Sequence, residues 1–269
     1  MGTQKTSGFT IIETMLFLAI SGVLIVAMVA GVGVTIQIQR YRDAVETFKT
    51  QLQDQYSELA SVKNERDNTW TCDNQAQTVE GGSEVRGQSR CVLLGRYMTI
   101  EASAVTIQSV VGYPATTLST TGNDIEKLRA NYTLNLSTVT KEESILEWGT
   151  QIAWPSQGIG TQSPTTPRSI ALLFIRSPDS GQIYTFSSDS VPSTPTPATL
   201  RAMLVTGETL PGQASRTLCI DSGGVLTAGD SSIFIYPYAN GPSSIETRSD
   251  AFWADPNSNS TDKSLRCLG

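Results

Sequence analysis

A run of 23 residues without a charged side chain lies near the start of this 269-residue chain, at residues 14–36. As a helix the run would be ~35 Å long at ~1.5 Å per residue, enough to cross a hydrocarbon core of ~30 Å. A helix in a soluble core does not stay apolar on all its faces over such a length. The run therefore predicts a membrane-spanning helix.

A secretory signal peptide is the main competing interpretation of this run. It would have a basic start, a shorter apolar core and a small-residue cleavage site behind it. Here Lys5 is the only basic residue upstream, and a helix-like sequence follows the run. These features favour a retained helix over a removed signal.

Glu13 stands at the edge of the apolar run, in the sequence GFTIIET. A carboxylate at the centre of a bilayer costs about 2.5–3.5 kcal/mol on insertion scales, and less near the interface. Two interpretations stay open. Either Glu13 is functional and meets a partner, or it lies among the lipid headgroups.

The residues that follow keep an apolar side chain at every third or fourth position, which predicts an amphipathic continuation of the same helix. Neither glycine nor proline occurs between Gly33 and Gly81. We expect one helix over residues 9–66, with its apolar stripe buried against the rest of the chain. A coiled coil is the weaker alternative, because the stripe fills only about three to four heptads. The stripe consists of Ile38, Tyr41, Val45, Phe48, Leu52, Tyr56, Leu59 and Val62.

From about residue 69 onward, short β-rich runs alternate with turn signals. The sequence SPDSG inside residues 169–187 predicts a hairpin, residues 123–130 a short helix, and residues 190–197 a Ser/Thr/Pro loop. A long helix packed on an antiparallel sheet is an α+β fold. The predicted strands are residues 92–101, 105–111, 132–140, 145–154, 169–176, 182–187, 217–221 and 233–238.

Composition argues against several classes of function. The chain contains no histidine, which excludes Ser-His-Asp hydrolases, HExxH proteases and His-ligated metal sites. The net charge is −6 and no Lys/Arg run occurs, so bulk nucleic-acid binding is disfavoured. No acidic pair can be placed within reach of a common substrate. We expect no enzyme activity and no cofactor.

Four cysteines, an even number, well spaced and without a CxxC motif, predict disulfides and an oxidising compartment. Three pairings are open, and we favour Cys72–Cys91 with Cys219–Cys267 because each closes a local loop. Buried free thiols are the alternative.

Two further groups of residues are candidate binding sites. Oxygen-bearing residues near the end are spaced like half of a calcium loop, but Ser260 and Arg266 stand where such a loop has Gly and Glu. A polar turn is therefore favoured over a calcium site, whose ligands would be Asp255, Asn257, Asn259 and Thr261. Several aromatic residues form either a surface patch or sheet packing. These are Trp70, Trp148, Trp154, Trp253, Tyr236 and Tyr238.

The N-terminal sequence KTSGFTIIETMLFLAISG, at residues 5–22, resembles the class III signal of type IV prepilins and type II secretion pseudopilins. That signal has a short leader with a basic residue, ends in Gly, continues with Phe, and carries Glu at the fifth position after the cut. Lys5, Gly8, Phe9 and Glu13 match it. With the helix that follows, the resemblance covers about the first fifth of the chain.

The resemblance implies a function for each of these positions. A prepilin peptidase would cut between Gly8 and Phe9, and the new N-terminus at Phe9 would be methylated. Inside a filament, the amine of one copy would neutralise Glu13 of a neighbour, since a buried charge is tolerated when paired. Residues 1–8 would be the leader and 9–36 the transmembrane and assembly half of the helix. Residues 37–66 would be its amphipathic half, and 67–269 the extracellular β-rich pilin domain.

The implied function is that of a structural subunit, a minor pilin or pseudopilin, stored in the cell membrane and then assembled into an extracellular filament. Its partners would be other pilin subunits, the prepilin peptidase and the assembly platform, with host surfaces or DNA as candidate ligands. Adhesion, twitching motility and DNA uptake are the candidate outputs. A secretion or competence pseudopilin is the alternative. From other classes, a membrane-anchored extracellular enzyme or receptor and a freely secreted protein stay open.

One signal points to the opposite topology. Arg40 and Arg42 follow the apolar run, whereas Lys5 alone precedes it. The positive-inside rule would place the C-terminal side in the cytoplasm. We expect export nevertheless, because the cysteines and the leader pattern both favour it.

Overall fold

The computed structural model describes residues 10–61, 70–82, 84, 88–155, 167–192, 194–204, 216–223, 231–249 and 267. Its longest element is α1, Ile11–Ser61, a helix of 51 residues. The helix begins after Thr10, whose hydroxyl oxygen accepts a hydrogen bond from the backbone N–H of Glu13 at 3.3 Å. Such a cap satisfies one of the free N–H groups at a helix start. The expected helix is thus confirmed over residues 11–61, with its start two residues later than predicted.

Five antiparallel strands form the larger sheet, in the order β5-β4-β3-β7-β8. Hairpins join two of the four neighbouring pairs, β3 with β4 and β7 with β8, and the second of these is the predicted hairpin around SPDSG. The strands are β3 (Val92–Glu101), β4 (Ala104–Pro114), β5 (Tyr132–Ile145), β7 (Ser169–Arg176) and β8 (Ile183–Ser188).

A second sheet has four antiparallel strands in the order β11-β10-β9-β6, and a separate hairpin joins β1 to β2. The strands of the second sheet are β6 (Gln151–Ala153), β9 (Arg216–Asp221), β10 (Ser231–Ile235) and β11 (Ile245–Ser249), and those of the hairpin are β1 (Trp70–Cys72) and β2 (Thr78–Glu80). The predicted α+β class, a long N-terminal apolar helix with antiparallel sheets, is confirmed.

The five-stranded sheet is covered on both faces. Along β7, Ile170, Leu172 and Phe174 point into a core shared with α1 and the second sheet. Ala171, Leu173 and Ile175 point into another core beneath two short helices, α2 (Asp124–Asn131) and α3 (Pro197–Met203). Alternate residues of a strand face opposite sides, so a strand covered on both sides is apolar without alternation.

The predicted strand over residues 145–154 is wrong in its middle. Strand β5 ends at Ile145, a single 3-10 turn spans Glu147–Gly149, and β6 occupies only Gln151–Ala153. Trp148 and Gly149 both adopt positive φ, 56° and 73°, which reverses the chain. The apolar and aromatic residues of this window favour a strand, but Gly149 permits the positive φ of the turn.

Several short elements were missed by the sequence analysis, namely β1, β2, β11 and α3. The last residue of the expected 190–197 loop, Pro197, is the first residue of α3. Thr196 caps that helix, and its hydroxyl oxygen accepts a hydrogen bond from the N–H of Thr199 at 3.2 Å. A threonine followed by proline is a helix-start signal that the Ser/Thr/Pro composition concealed.

Both disulfides join the pairs favoured by the local-loop argument, Cys72 with Cys91 and Cys219 with Cys267. The first links β1 to the start of β3. The second ties Cys267, near the end of the chain, to the centre of β9. The first disulfide therefore fastens the β1–β2 hairpin to the larger sheet, and the second fastens Cys267 to the four-stranded sheet.

Candidate functional site

The first part of α1 is apolar on all its faces and is exposed along its length. Every large apolar side chain from Ile11 to Ile36 is exposed, by between 41% and 78%. No residue in this stretch is buried. By length and composition it is able to cross a membrane. We call residues 11–36 the apolar half of α1.

Glu13 lies in the first turn of the apolar half. It is the only charged residue between residues 10 and 39. Its carboxylate has no ion pair within the described ranges, and the side chain is exposed. The position suits a carboxylate, because the positive end of the helix dipole lies there. Glu13 is thus the single negative charge of this apolar helical segment, and it lies in the first turn.

The two residues of the expected cleavage site, Gly8 and Phe9, lie outside the described residues, as do the calcium-loop residues Asp255, Asn257, Asn259 and Thr261. Within the described ranges, no group of three or more acidic or cysteine side chains is placed to hold a metal ion.

The second part of α1 is packed. Its predicted stripe is buried from Tyr41 to Leu59, although Ile38 is only half-buried and Val62 lies outside the described residues. We call residues 41–59 the packed half. Both sheets contribute to the core around it. The expectation that the stripe packs on the chain's own domain is therefore confirmed.

Polar anchors fix the packed half at both ends. Near its start, the hydroxyl of Tyr41 donates to the carbonyl of Ile220 and accepts from the N–H of Ser231, each at 2.7 Å. Tyr41 thereby bridges two neighbouring strands of the four-stranded sheet. Buried polar groups that are satisfied in this way specify one docking geometry.

Deeper in the core, the hydroxyl of Tyr56 lies 2.7 Å from that of Thr185, and its ring meets Phe174 edge-to-face at 5.1 Å between centroids. Tyr56 is 1% exposed. Burial raises the pKa of Tyr56 to about 12, against a smaller lowering by the hydrogen bond with Thr185. The phenol therefore stays neutral and folded into the core at ordinary pH.

At the far end, the guanidinium of Arg96 on β3 pairs with Glu58 of α1 and with Glu142 of β5, the latter at 3.1 Å. Arg96 is buried although its side chain is charged. Arg176 adds a hydrogen bond at 3.4 Å to the carbonyl of Leu59, close to the end of the helix. A cation at this end also interacts favourably with the negative end of the helix dipole.

The apolar half joins the packed half beside Trp148. The Arg40 guanidinium carbon lies 4.6 Å from the centroid of the Trp148 ring. In the sequence, Trp148 is only one of several candidate aromatic residues. The structure gives those residues different partners, since Trp154 stacks with Arg168 and Tyr236 with Arg248, while Trp253 lies outside the described residues.

Comparison with known proteins gives no relative: the chain matches no protein-family model, no curated protein and no solved structure. The long apolar N-terminal helix followed by antiparallel sheets nevertheless fits a pilin-like architecture.

Proposed function

We propose that this chain is a structural subunit of a type IV pilus or a related filament, held in a membrane before assembly. The observation that carries the proposal is the division of α1. One half is docked by apolar contacts and polar anchors, and the other leaves an unbroken apolar surface exposed. An apolar surface of that size requires lipid or other helices around it.

Assembly would exchange lipid for neighbouring helices. Gly22, Gly31 and Gly33 lie in the apolar half, and a Cβ added at any of them would meet nothing within 4 Å. Small residues let helices approach closely, which is the source of association in an apolar environment. The apolar half is thus suited to pack with copies of itself.

Glu13 would set the register of that packing. Transfer of a lone carboxylate into an apolar bundle is costly unless a cation meets it. Cleavage between Gly8 and Phe9 would create an α-amino cation four residues before Glu13 along the chain. A neighbouring subunit, shifted along the helix axis, would present this amine to the carboxylate. Glu13 would then select one stagger and have no catalytic role.

The test is the change Glu13→Gln, which keeps the size of the side chain and removes its charge. We expect membrane insertion and leader cleavage to continue, while the subunit is lost from filaments sheared from the cell surface. Immunoblots of the sheared and membrane fractions measure both results. Glu13→Asp keeps the charge and should retain part of the assembly.

Glu46→Gln is the matched control. It removes the same charge from the packed half, where Glu46 meets Lys49 and Thr247 at an exposed position. We expect that variant to assemble normally. If Glu13→Gln entered the sheared filaments at the wild-type level, the register role of Glu13 would be contradicted. If the wild type itself were absent from that fraction, α1 would be a simple anchor, and the filament proposal would be contradicted.

A further inference from the structure

The distance along α1 between Glu13 and Arg40 matches the thickness of a whole bilayer. The two residues are 27 positions apart, which is ~40 Å at ~1.5 Å per residue. A bilayer with its headgroup layers is ~40–45 Å thick. When Glu13 lies in one headgroup layer, Arg40 lies in the opposite one. The part of the domain beside Arg40 then rests on the membrane surface.

Trp148 is the large side chain found at that level. Trp148 is 53% exposed, although a tryptophan side chain gains much from burial. Its backbone has φ 56° and ψ 26°, a left-handed conformation that is rare for a bulky residue. Two hydrogen bonds from Thr150 to the carbonyl of Glu147 hold the turn in place. The turn thus holds Trp148 in a strained backbone conformation and leaves about half of the residue exposed.

Arg40 supplies a polar group at the same point. A cleft of about 130 Å³ opens beside the stacked pair. Within the described ranges, the side-chain donors of Gln37 and Arg40 make no hydrogen bond. Donors beside an exposed indole are the combination found where lipid headgroups meet the acyl chains. The cleft is lined by Gln37, Arg40, Tyr41, Trp148, Thr150 and Ser222.

We propose that Trp148 and Arg40 form a membrane-contact site on the underside of the domain while the chain is stored in the bilayer. The indole lies at the boundary of the acyl chains, and the guanidinium faces lipid phosphate. This inference rests on the membrane-spanning state in the proposed function, and it does not depend on polymerisation. The contact fixes how the domain stands on the membrane.

Local charge defines the lipid class. Arg40 and Arg42 are balanced by two carboxylates close by in sequence to the pair, Asp43 and Glu147. These four charges cancel, so the site gains little from an anionic surface, to which attraction scales with the number of basic residues. The site therefore takes the phosphate of a zwitterionic phospholipid, and an anionic lipid is not required.

The experiment uses the full chain reconstituted at low density in phosphatidylcholine vesicles. One set of vesicles carries lipid brominated near the ester end of the acyl chains, where bromine quenches indole fluorescence. The chain contains four tryptophans, so variants separate them. We expect brominated lipid to quench the wild type and Trp70→Phe alike, and Trp148→Phe to lose most of that quenching. Trp148→Tyr is the second variant, and near-UV circular dichroism checks that each variant is folded.

Three results would overturn the inference. Equal quenching in Trp148→Phe and the wild type would place the indole away from the lipid. Quenching that requires an anionic lipid would contradict the neutral site. A Trp148 signal that changes only at high protein density would show a contact with another copy of the chain. Extraction of the wild type by alkaline carbonate would instead remove the membrane-spanning premise, and the proposed function would fail with it.

Discussion

The two halves of α1 belong to one continuous helix, yet they have opposite surroundings. In the packed half, Leu52 is fully buried between two sheets. In the apolar half, Leu24 is 60% exposed. The local sequence explains the difference. A helix with one apolar stripe packs that stripe on one partner surface, whereas a helix that is apolar on all faces needs an apolar medium around it.

This contrast separates folding from assembly. The domain obtains its stability from the packed half and its sheets, and the apolar half contributes little to that stability. Changes in the apolar half should therefore alter membrane behaviour or assembly and leave the domain folded. Changes in the packed half should do the reverse.

Leu52→Ala should lower the free energy of unfolding of the domain by about 2–5 kcal/mol, the usual loss for a buried leucine that leaves a cavity. Urea denaturation of the full chain in mild detergent, followed by near-UV circular dichroism, measures the change. Leu24→Ala is the matched control from the same helix, and it should change the domain by less than about 0.5 kcal/mol. Similar losses in both variants would show that the apolar half also supports the domain.

Tyr56 should make the domain sensitive to alkali. Its pKa is about 12 in the folded chain and about 10 when exposed, so below pH 10 the neutral phenol costs nothing in either state. Between pH 10 and 12 the unfolded chain ionises first, and stability falls as pH rises, by up to about 2.7 kcal/mol. Urea midpoints measured across this range should fall less in Tyr56→Phe than in the wild type. Equal slopes would contradict the buried position of Tyr56.

The ion pairs of Arg96 with Glu58 and Glu142 should have a smaller effect on the stability of the domain. Glu58→Gln leaves the buried Arg96 with Glu142 alone, and we expect a loss of about 1–2 kcal/mol. Glu46→Gln breaks an exposed pair with Lys49 in the same half, and it should cost less than about 0.5 kcal/mol. Thermal denaturation of both variants compares them. Equal costs would mean that burial adds nothing to these ion pairs.

Much of this contrast could be predicted from the sequence. The apolar half was evident because no charge interrupts residues 14–36, and the packed half because Tyr41, Val45 and Phe48 repeat at helical spacing. The disulfide pairs followed from loop closure. These features are local in sequence, so a single chain is enough to reveal them.

Other features depend on contacts between distant residues and could not be predicted. Gln55 is buried inside the stripe, and Arg96 is buried in a strand, where sequence patterns favour apolar residues. Trp148 was noticed only for its aromatic ring, since its stacking with Arg40 depends on a positive-φ turn and on a residue over a hundred positions away. The functions assigned to Gly8 and Phe9 rest on the prepilin resemblance alone.

The most direct test of the central claim is mass spectrometry of the N-terminal peptide of this chain, taken from filaments sheared from the cell surface. The account predicts that the chain is present in that fraction, lacks residues 1–8 and begins with a methylated Phe9. A chain that begins at Met1 would indicate an unprocessed anchor, and one that begins beyond Ile36 would indicate ordinary secretion. Either start, or the absence of this polypeptide from the filaments, would contradict the account.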